Sequence, residues 1–234
     1  MVKAYFKAMK VTIVIPAYNA ATTIKRAVDS ALNQNFTKKD FEIIVINDGS
    51  TDETLKILKF YGRQIKIINQ KKNKGFLKTA NRGFKKAKGK YLIKLDADDC
   101  FEPTILKEIV AVLDKKPKID FVYCDYYEKS SQGRIKIVST KDNIFNTIGI
   151  GILFRRDKFK KERFFNKNVR FAEYDLLLKT EGSLKGYHIS KPLFYYNRRK
   201  RSITKNKNWV KGAIAQLKKL YPKKLEKIKK IRKY

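Results

Sequence analysis

The stretch FEIIVINDGSTDETLKIL, Phe41–Leu58, passes through three local states in one run. Phe41–Asn47 is an apolar run of strand length, rich in β-branched residues, as expected of a strand covered on both faces. Asn47–Asp52 (NDGSTD) is made of turn-formers and carboxylates. Asp52–Tyr61 (DETLKILKFY) reads as a helix with acidic residues in its first turn, where the helix dipole favours them. A strand, a polar turn and a helix in that order form half of a βαβ unit.

The same alternation continues on both sides. Before it come a strand at Val11–Pro16 and a helix at Thr22–Gln34, with Ile24, Ala27, Val28, Ala31 and Leu32 on one face. After it come a strand at Ile65–Asn69, a helix at Phe76–Lys88 and a strand at Tyr91–Leu95. A helix at Pro103–Lys115 follows, with Pro103 suited to its first position. A strand at Ile119–Tyr127 closes the series. The pattern predicts an α/β protein with a mostly parallel central sheet and helices on both faces. Such sheets bind ligands at the carboxyl ends of their strands. Those ends read PAYN (Pro16–Asn19), NDGSTD (Asn47–Asp52) and DADD (Asp96–Asp99), so polar and acidic residues converge on one rim.

The second half is less regular. Arg134–Thr140 reads as a strand in a hairpin with the preceding one, Gly149–Arg156 as another strand, Phe171–Gly182 as a helix, and Tyr187–Ser202 as a strand and a basic loop. After Ser202 the chain carries twelve basic residues and one acid, Glu226. Trp209, Val210, Ile214, Leu217, Leu220 and Tyr221 form an apolar stripe at helical spacing.

The 234-residue chain has 56 basic and 22 acidic residues, a formal charge of +34, with 43% hydrophobic residues, enough to build a core. That charge suits an anionic partner: nucleic acid, an anionic membrane surface or a phosphate-bearing substrate. Lysine-rich composition can also reflect thermal adaptation or genome bias. Cys100 and Cys124 fit neither a disulfide framework nor a zinc pair and read as thiols in a reducing compartment. The N-terminal apolar run stops at Pro16 and lacks a cleavage site, and no stretch reaches the ~20 apolar residues that span a bilayer. The expected location is the cytoplasm.

Acidic residues on the ligand rim argue against a nucleic-acid-binding module. Asp96 and Asp98, one residue apart at a strand end, can present oxygens to a hard divalent cation that also binds substrate phosphates. Asp99 could instead cap the next helix. Asp48 reads either as a turn residue or as an acceptor for a base N–H, and Tyr18 as a stacking ring or a lid on the sheet.

At this level of detail the chain resembles the family 2 glycosyltransferases. The segments VTIVIPAYNAATTIKRAVDSALNQ, FEIIVINDGSTDETLKIL, NKGFLKTANRGFKKAKGKYLIKLDADD, FAEYDLLLKTEG and KPLFYYNRRKRSIT occur in that family's order. The resemblance covers about residues 10 to 204. It implies a GT-A fold, a Rossmann-like α/β/α sandwich, here with a basic C-terminal helical extension. The implied division is an N-terminal extension at 1–10, a glycosyltransferase domain at 11–204 and a basic amphipathic tail at 205–234. Within the domain, a nucleotide-sugar half spans about 11–127 and an acceptor half about 128–204. Family roles fall on Pro16, Ala17, Tyr18, Asp48, Asn81 and Asp96 for the nucleotide. Asp98 with Asp96 falls on the metal, Mn²⁺ or Mg²⁺. Glu173 falls on the general base, with Asp175 as the fallback.

The sequence departs from the family in two places. Ala80 stands where an Arg is frequent, leaving Asn81 and Gly83 as matches. Arg199 stands where a His can help hold metal or diphosphate; it cannot ligate metal but can contact the diphosphate. The lone His188 is expected to be structural. The implied activity is inverting transfer of a sugar from a nucleotide diphospho-sugar, UDP by family habit, to a glycan or lipid-linked acceptor. The competing readings are a nucleotidyltransferase on a related sheet and a catalytically weak nucleotide-sugar-binding homologue. The tail has two readings, a helix on an anionic membrane or a helix packed on the domain with its lysines in water. The first makes the protein peripheral at the inner face of the cell membrane.

Overall fold

The computed structural model describes residues 9–141, 149–161, 164–199 and 206–224. Most of the N-terminal extension, the basic loop beyond Arg199 and the last ten residues of the tail lie outside these.

Strands β1 (Val11–Ala17), β2 (Phe41–Asn47), β3 (Lys66–Asn69) and β4 (Tyr91–Lys94) pair in parallel in the order β3-β2-β1-β4. The register aligns Ala17 with Asn47 and Val14 with Lys94, so the carboxyl ends of β1, β2 and β4 share one rim. Every residue of β1 is buried, because helices cover both faces of the sheet. Ile13 and Ile15 join one core with α1 (Ile24–Leu32), α2 (Thr54–Lys59) and α4 (Ile105–Lys115). Val14, Ile44 and Ile46 join a second core with α3 (Phe76–Lys86) on the other face. A strand's period of two turns one apolar run into two cores.

Gly83 lets α3 lie close to the sheet. A Cβ there would stand 2.4 Å from Val14 Cγ1 and 2.6 Å from Ile46 Cδ1. Glycine costs a helix interior about 1 kcal/mol relative to alanine, and here that cost is offset by close packing.

The sheet continues through β8 (Leu153–Arg155), β6 (Phe121–Lys129), β9 (Gly186–Asn197) and β5 (Cys100–Phe101), becoming mixed. β8 runs antiparallel to both β4 and β6, β9 runs parallel to β6, and β7 (Ile135–Val138) forms the expected hairpin on β6. Helices α5 (Arg156–Lys161), α6 (Ala172–Thr180) and α7 (Lys207–Leu220) lie in the second half, and Phe159, Leu176–Leu178, Val210, Ala213 and Leu217 extend the second core. The apolar stripe of α7 therefore packs on the domain over the described residues, although Leu220 stays half exposed.

Two local expectations are corrected. α2 begins at Thr54, so Asp52 and Glu53 precede its first turn; Asp52 instead accepts from the Thr54 N–H at 3.0 Å and the Ala21 N–H at 3.0 Å, joining two loops of the rim. Pro103 lies outside α4, which starts after Thr104, and the Pro103 carbonyl accepts from the Asn35 N–H. Two-residue β5 and short α5 went unread because neither is long enough to show a period.

Candidate active site

The rim opens on a cavity of about 730 Å³. Two of its loops are stitched together by the residues that made them readable. Asn19, in the left-handed region at φ 45°, accepts from the Thr51 N–H at 2.9 Å, and the Asn19 N–H donates to Ser50 Oγ at 3.0 Å. This fixes Tyr18 between them, half exposed, on the cavity wall beside Pro16. Ala17 is buried within β1 and offers its carbonyl to the Asp48 N–H at 2.8 Å.

Asp48 is placed differently from the expected base acceptor. It is 2% exposed and does not line the cavity. Its carboxylate accepts from Gln70 Nε2 at 2.7 Å, the Lys74 N–H at 2.8 Å and the Gly75 N–H at 3.0 Å. Those bonds hold the 74–75 turn, which does line the cavity. Asn81 is also drawn away: its amide donates to the Phe165 carbonyl at 2.7 Å and accepts from the Phe165 N–H at 3.0 Å. It pins the segment that leads into α6.

Asp96, Asp98 and Glu173 all face the cavity. No motif marked the cation that joins Asp96 to Glu173. Lys94, the last residue of β4, is 3% exposed, and its Nζ donates to Asp96 Oδ1 at 2.9 Å and Glu173 Oε1 at 3.1 Å. The ammonium also sits 4.4 Å from the Phe76 ring centroid. Burial by itself would lower the lysine; the Asp96 and Glu173 charges outweigh it and raise it above its ordinary value. The signal was a lysine inside an apolar strand covered on both faces, which requires buried counter-charges.

Asp98 pairs with Arg199: Asp98 Oδ2 lies 2.9 Å from Arg199 Nε, and Arg199 Nη2 donates to Thr23 Oγ1 at 3.0 Å. Asp99 does not cap α4. It is 1% exposed and accepts from the Asn197 N–H at 2.7 Å, while Asn197 Nδ2 donates to the Asp98 carbonyl at 2.8 Å. The end of β9 is thereby fastened to the D-x-D turn. Burial pushes Asp96 up to about 6, with the Asp98 and Glu173 charges adding and Lys94 opposing. Burial and then the Asp98 and Asp96 charges raise Asp99 well above the carboxylate range. Asp96 and Asp99, both raised, crowd against Asp98 as a donor set short of positive charge. Hard oxygen ligands of this kind fit a divalent cation shared with substrate phosphates.

Asp175 lies outside the cavity, 2% exposed, with Oδ1 accepting from the Tyr221 hydroxyl at 2.7 Å. Of the two candidate bases, Glu173 is the one at the cavity. His188 lies on β9 away from the cavity, its Nε2 bonded to Asp125 Oδ1 of β6 at 2.8 Å. Both cysteines are free thiols, and among the described residues no helix is long and apolar enough to cross a membrane.

Comparison with known proteins agrees with this fold. The model of Glycosyl transferase family 2 matches residues 12–175. An uncharacterized glycosyltransferase of Rickettsia prowazekii is 43% identical over 117 residues, which are 50% of this chain and 36% of that protein; the chain thus spans about a third of its length. Among solved structures, residues 1–349 of S. aureus TarS in complex with UDP-GlcNAc superpose with a TM-score of 0.75 at 22% identity, over 90% of this chain and 67% of that one. The mannosyltransferase PcManGT of Pyrobaculum calidifontis, in complex with GDP-Man and Mn²⁺, gives 0.73 at 16% identity, over 90% of this chain and 64% of that one. The fold is GT-A, and the chain belongs to glycosyl transferase family 2.

Proposed function

We propose that the chain transfers a sugar from a nucleotide diphospho-sugar, with UDP as the nucleotide, to an acceptor hydroxyl with inversion at the anomeric carbon. The observation that carries this reading is that Glu173, Asp96 and Asp98 face one cavity, with Glu173 and Asp96 sharing one buried ammonium, Lys94. Nucleotide diphospho-sugars in the TarS and PcManGT structures support the donor class.

Tyr18 offers an exposed ring against which a base can stack. Pro16 and the turn held by Asp48 shape the cavity beside it. Arg199 would pair with the diphosphate on exchanging its bond to Asp98. Asp98, with Asp96 behind it, would hold Mn²⁺ or Mg²⁺; when bound, such an ion stabilises negative charge on the departing diphosphate. Glu173 uses Oε1 on Lys94 and takes the acceptor's hydroxyl proton as general base. Lys94 keeps that carboxylate oriented and compensates part of its charge.

Glu173→Gln is expected to lower turnover by about 10²- to 10⁴-fold while keeping calorimetric UDP binding in the presence of Mn²⁺ within a factor of about 3. If UDP binding is absent from the unaltered chain with and without Mn²⁺, the donor reading fails. If Glu173→Gln retains full turnover, the base assignment fails.

A further inference from the structure

Beyond the donor side, the cavity lining includes Trp209, which the family match at residues 12–175 does not reach. Trp209 of α7 lines it together with Lys167, Arg170 and Phe171 of the segment ahead of α6. α7 holds that segment through several bonds. Gln216 Oε1 accepts from the Arg170 N–H at 3.0 Å, and Gln216 Nε2 donates to the Asn168 carbonyl at 2.6 Å. The Trp209 and Phe171 rings meet edge to face at 5.2 Å, and the Tyr221 hydroxyl reaches Asp175. Arg170 lies against α7 with its guanidinium 6.0 Å from the Trp209 ring. Gly212 makes room for it, since a Cβ there would stand 2.4 Å from Arg170 Nη1.

The charges around the cavity are unevenly matched. Asp96 and Glu173 share Lys94, Asp98 has Arg199, and Asp99 has a backbone N–H. Lys167 and Arg170 have no carboxylate partner among the described residues, and the Arg170 guanidinium donates only to the Trp209 carbonyl, at 3.4 Å. A half-buried indole beside two unmatched cations, next to the helix that carries Glu173, is a surface for a sugar ring bearing a negative charge.

We infer that α7 completes the acceptor side of the site, and that the acceptor is an anionic carbohydrate. Its ring packs on Trp209 and its carboxylate or phosphate pairs with Lys167 and Arg170. This rests on the proposed glycosyl transfer and adds the acceptor class to it. The tail helix is then a wall of the active site, and its lysines face solvent.

Trp209 is the only tryptophan of the chain, so its fluorescence reports this wall alone. The full chain, with UDP and Mn²⁺ present, is titrated with tetragalacturonate, maltotetraose, inorganic phosphate and phosphatidylglycerol vesicles. Tetragalacturonate is expected to give a saturable change in Trp209 emission, with maltotetraose roughly tenfold weaker. Phosphate is expected to compete with tetragalacturonate without reproducing its full emission change. The double variant Lys167→Gln/Arg170→Gln should lose the preference for the acidic sugar. Lys218→Gln/Lys219→Gln, on the solvent side of α7, should keep it. Silence of Trp209 with both oligosaccharides, equal response to both, or an unchanged preference in the Lys167/Arg170 variant overturns the inference. A blue shift with vesicles and none with tetragalacturonate overturns it in favour of a membrane-binding face. UDP affinity measured in parallel reads the donor site separately, so failure there counts against the proposed transfer and failure of the Trp209 response counts against the acceptor class.

Discussion

Lys94 shows how one side chain can couple two parts of a site. Its ammonium is the shared counter-charge of Asp96 and Glu173, and it is nearly inaccessible to solvent. Removing one member of a buried ion-pair network leaves uncompensated charge and costs about 3–5 kcal/mol. Lys94→Met should therefore lower unfolding stability by about that amount in urea titrations at pH 7.5. It should lose less at pH 5, where Asp96, raised to about 6, already carries its proton. Turnover should fall by about 10²-fold, since a base displaced by about 1 Å loses that much. Equal stability of variant and parent at pH 7.5 would contradict the buried network. At the same scale, Asp48 and Asn81 correct the expectation carried by their motifs. Asp48 spends its hydrogen-bonding capacity on the 74–75 turn and Gln70, and Asn81 on the Phe165 backbone. They shape the cavity from behind.

Among the elements, α3 shows how spacing is set by a missing side chain. Alanine at position 83 would gain about 1 kcal/mol of helix propensity. The added methyl would collide with Val14 and Ile46, and overpacking a filled core costs about 1–3 kcal/mol. Gly83→Ala is expected to lower the melting temperature despite the better helix former; a rise would show that α3 can move away from the sheet freely. The strands and long helices of the first half were readable because each has a clear period. The first strand was expected at Val11–Pro16 and is observed at Val11–Ala17; the second matches at Phe41–Asn47. Helix ends were less readable. Asp52 and Pro103 carry start signals, yet tertiary bonds to Ala21 and Asn35 draw them out of the helices they were expected to open.

For the whole molecule, charge decides how stability depends on pH. Asp96 and Asp99 have folded values above 3.8, so the stability they contribute is complete below 3.8 and is lost as pH rises through their folded values, about 6 for Asp96. Asp52 and Asp114 have folded values below 3.8, each against the opposing effect of burial. Hydrogen bonds from Thr54 and Ala21 lower Asp52, and Tyr91 with Lys10 and Lys90 lowers Asp114. Their contribution is present above 3.8 and lost as pH falls through the folded values. The metal-free chain should therefore melt highest between about pH 4 and 6. Mn²⁺ should raise the melting temperature more at pH 7.5 than at pH 5, because the ion competes with protons for the same carboxylates. Scanning fluorimetry across that range checks both signs, and an equal Mn²⁺ effect at the two pH values would contradict the site.

Glu173 was named only by the family resemblance; the sequence's own pattern determined the α/β order, the rim of polar strand ends and the place of Asp96 and Asp98 on it. These follow from local period and from where polar residues interrupt apolar runs, and both are properties of neighbours along the chain. Only the tertiary structure decided that Asp175 is buried against Tyr221, that Asp99 fastens β9, and that Lys94 joins donor site and base. It also decided that Trp209 stands at the cavity. Apart from Lys94 with nearby Asp96, those hydrogen bonds span from 46 to 98 residues, and periodicity carries no information about which distant groups a side chain meets.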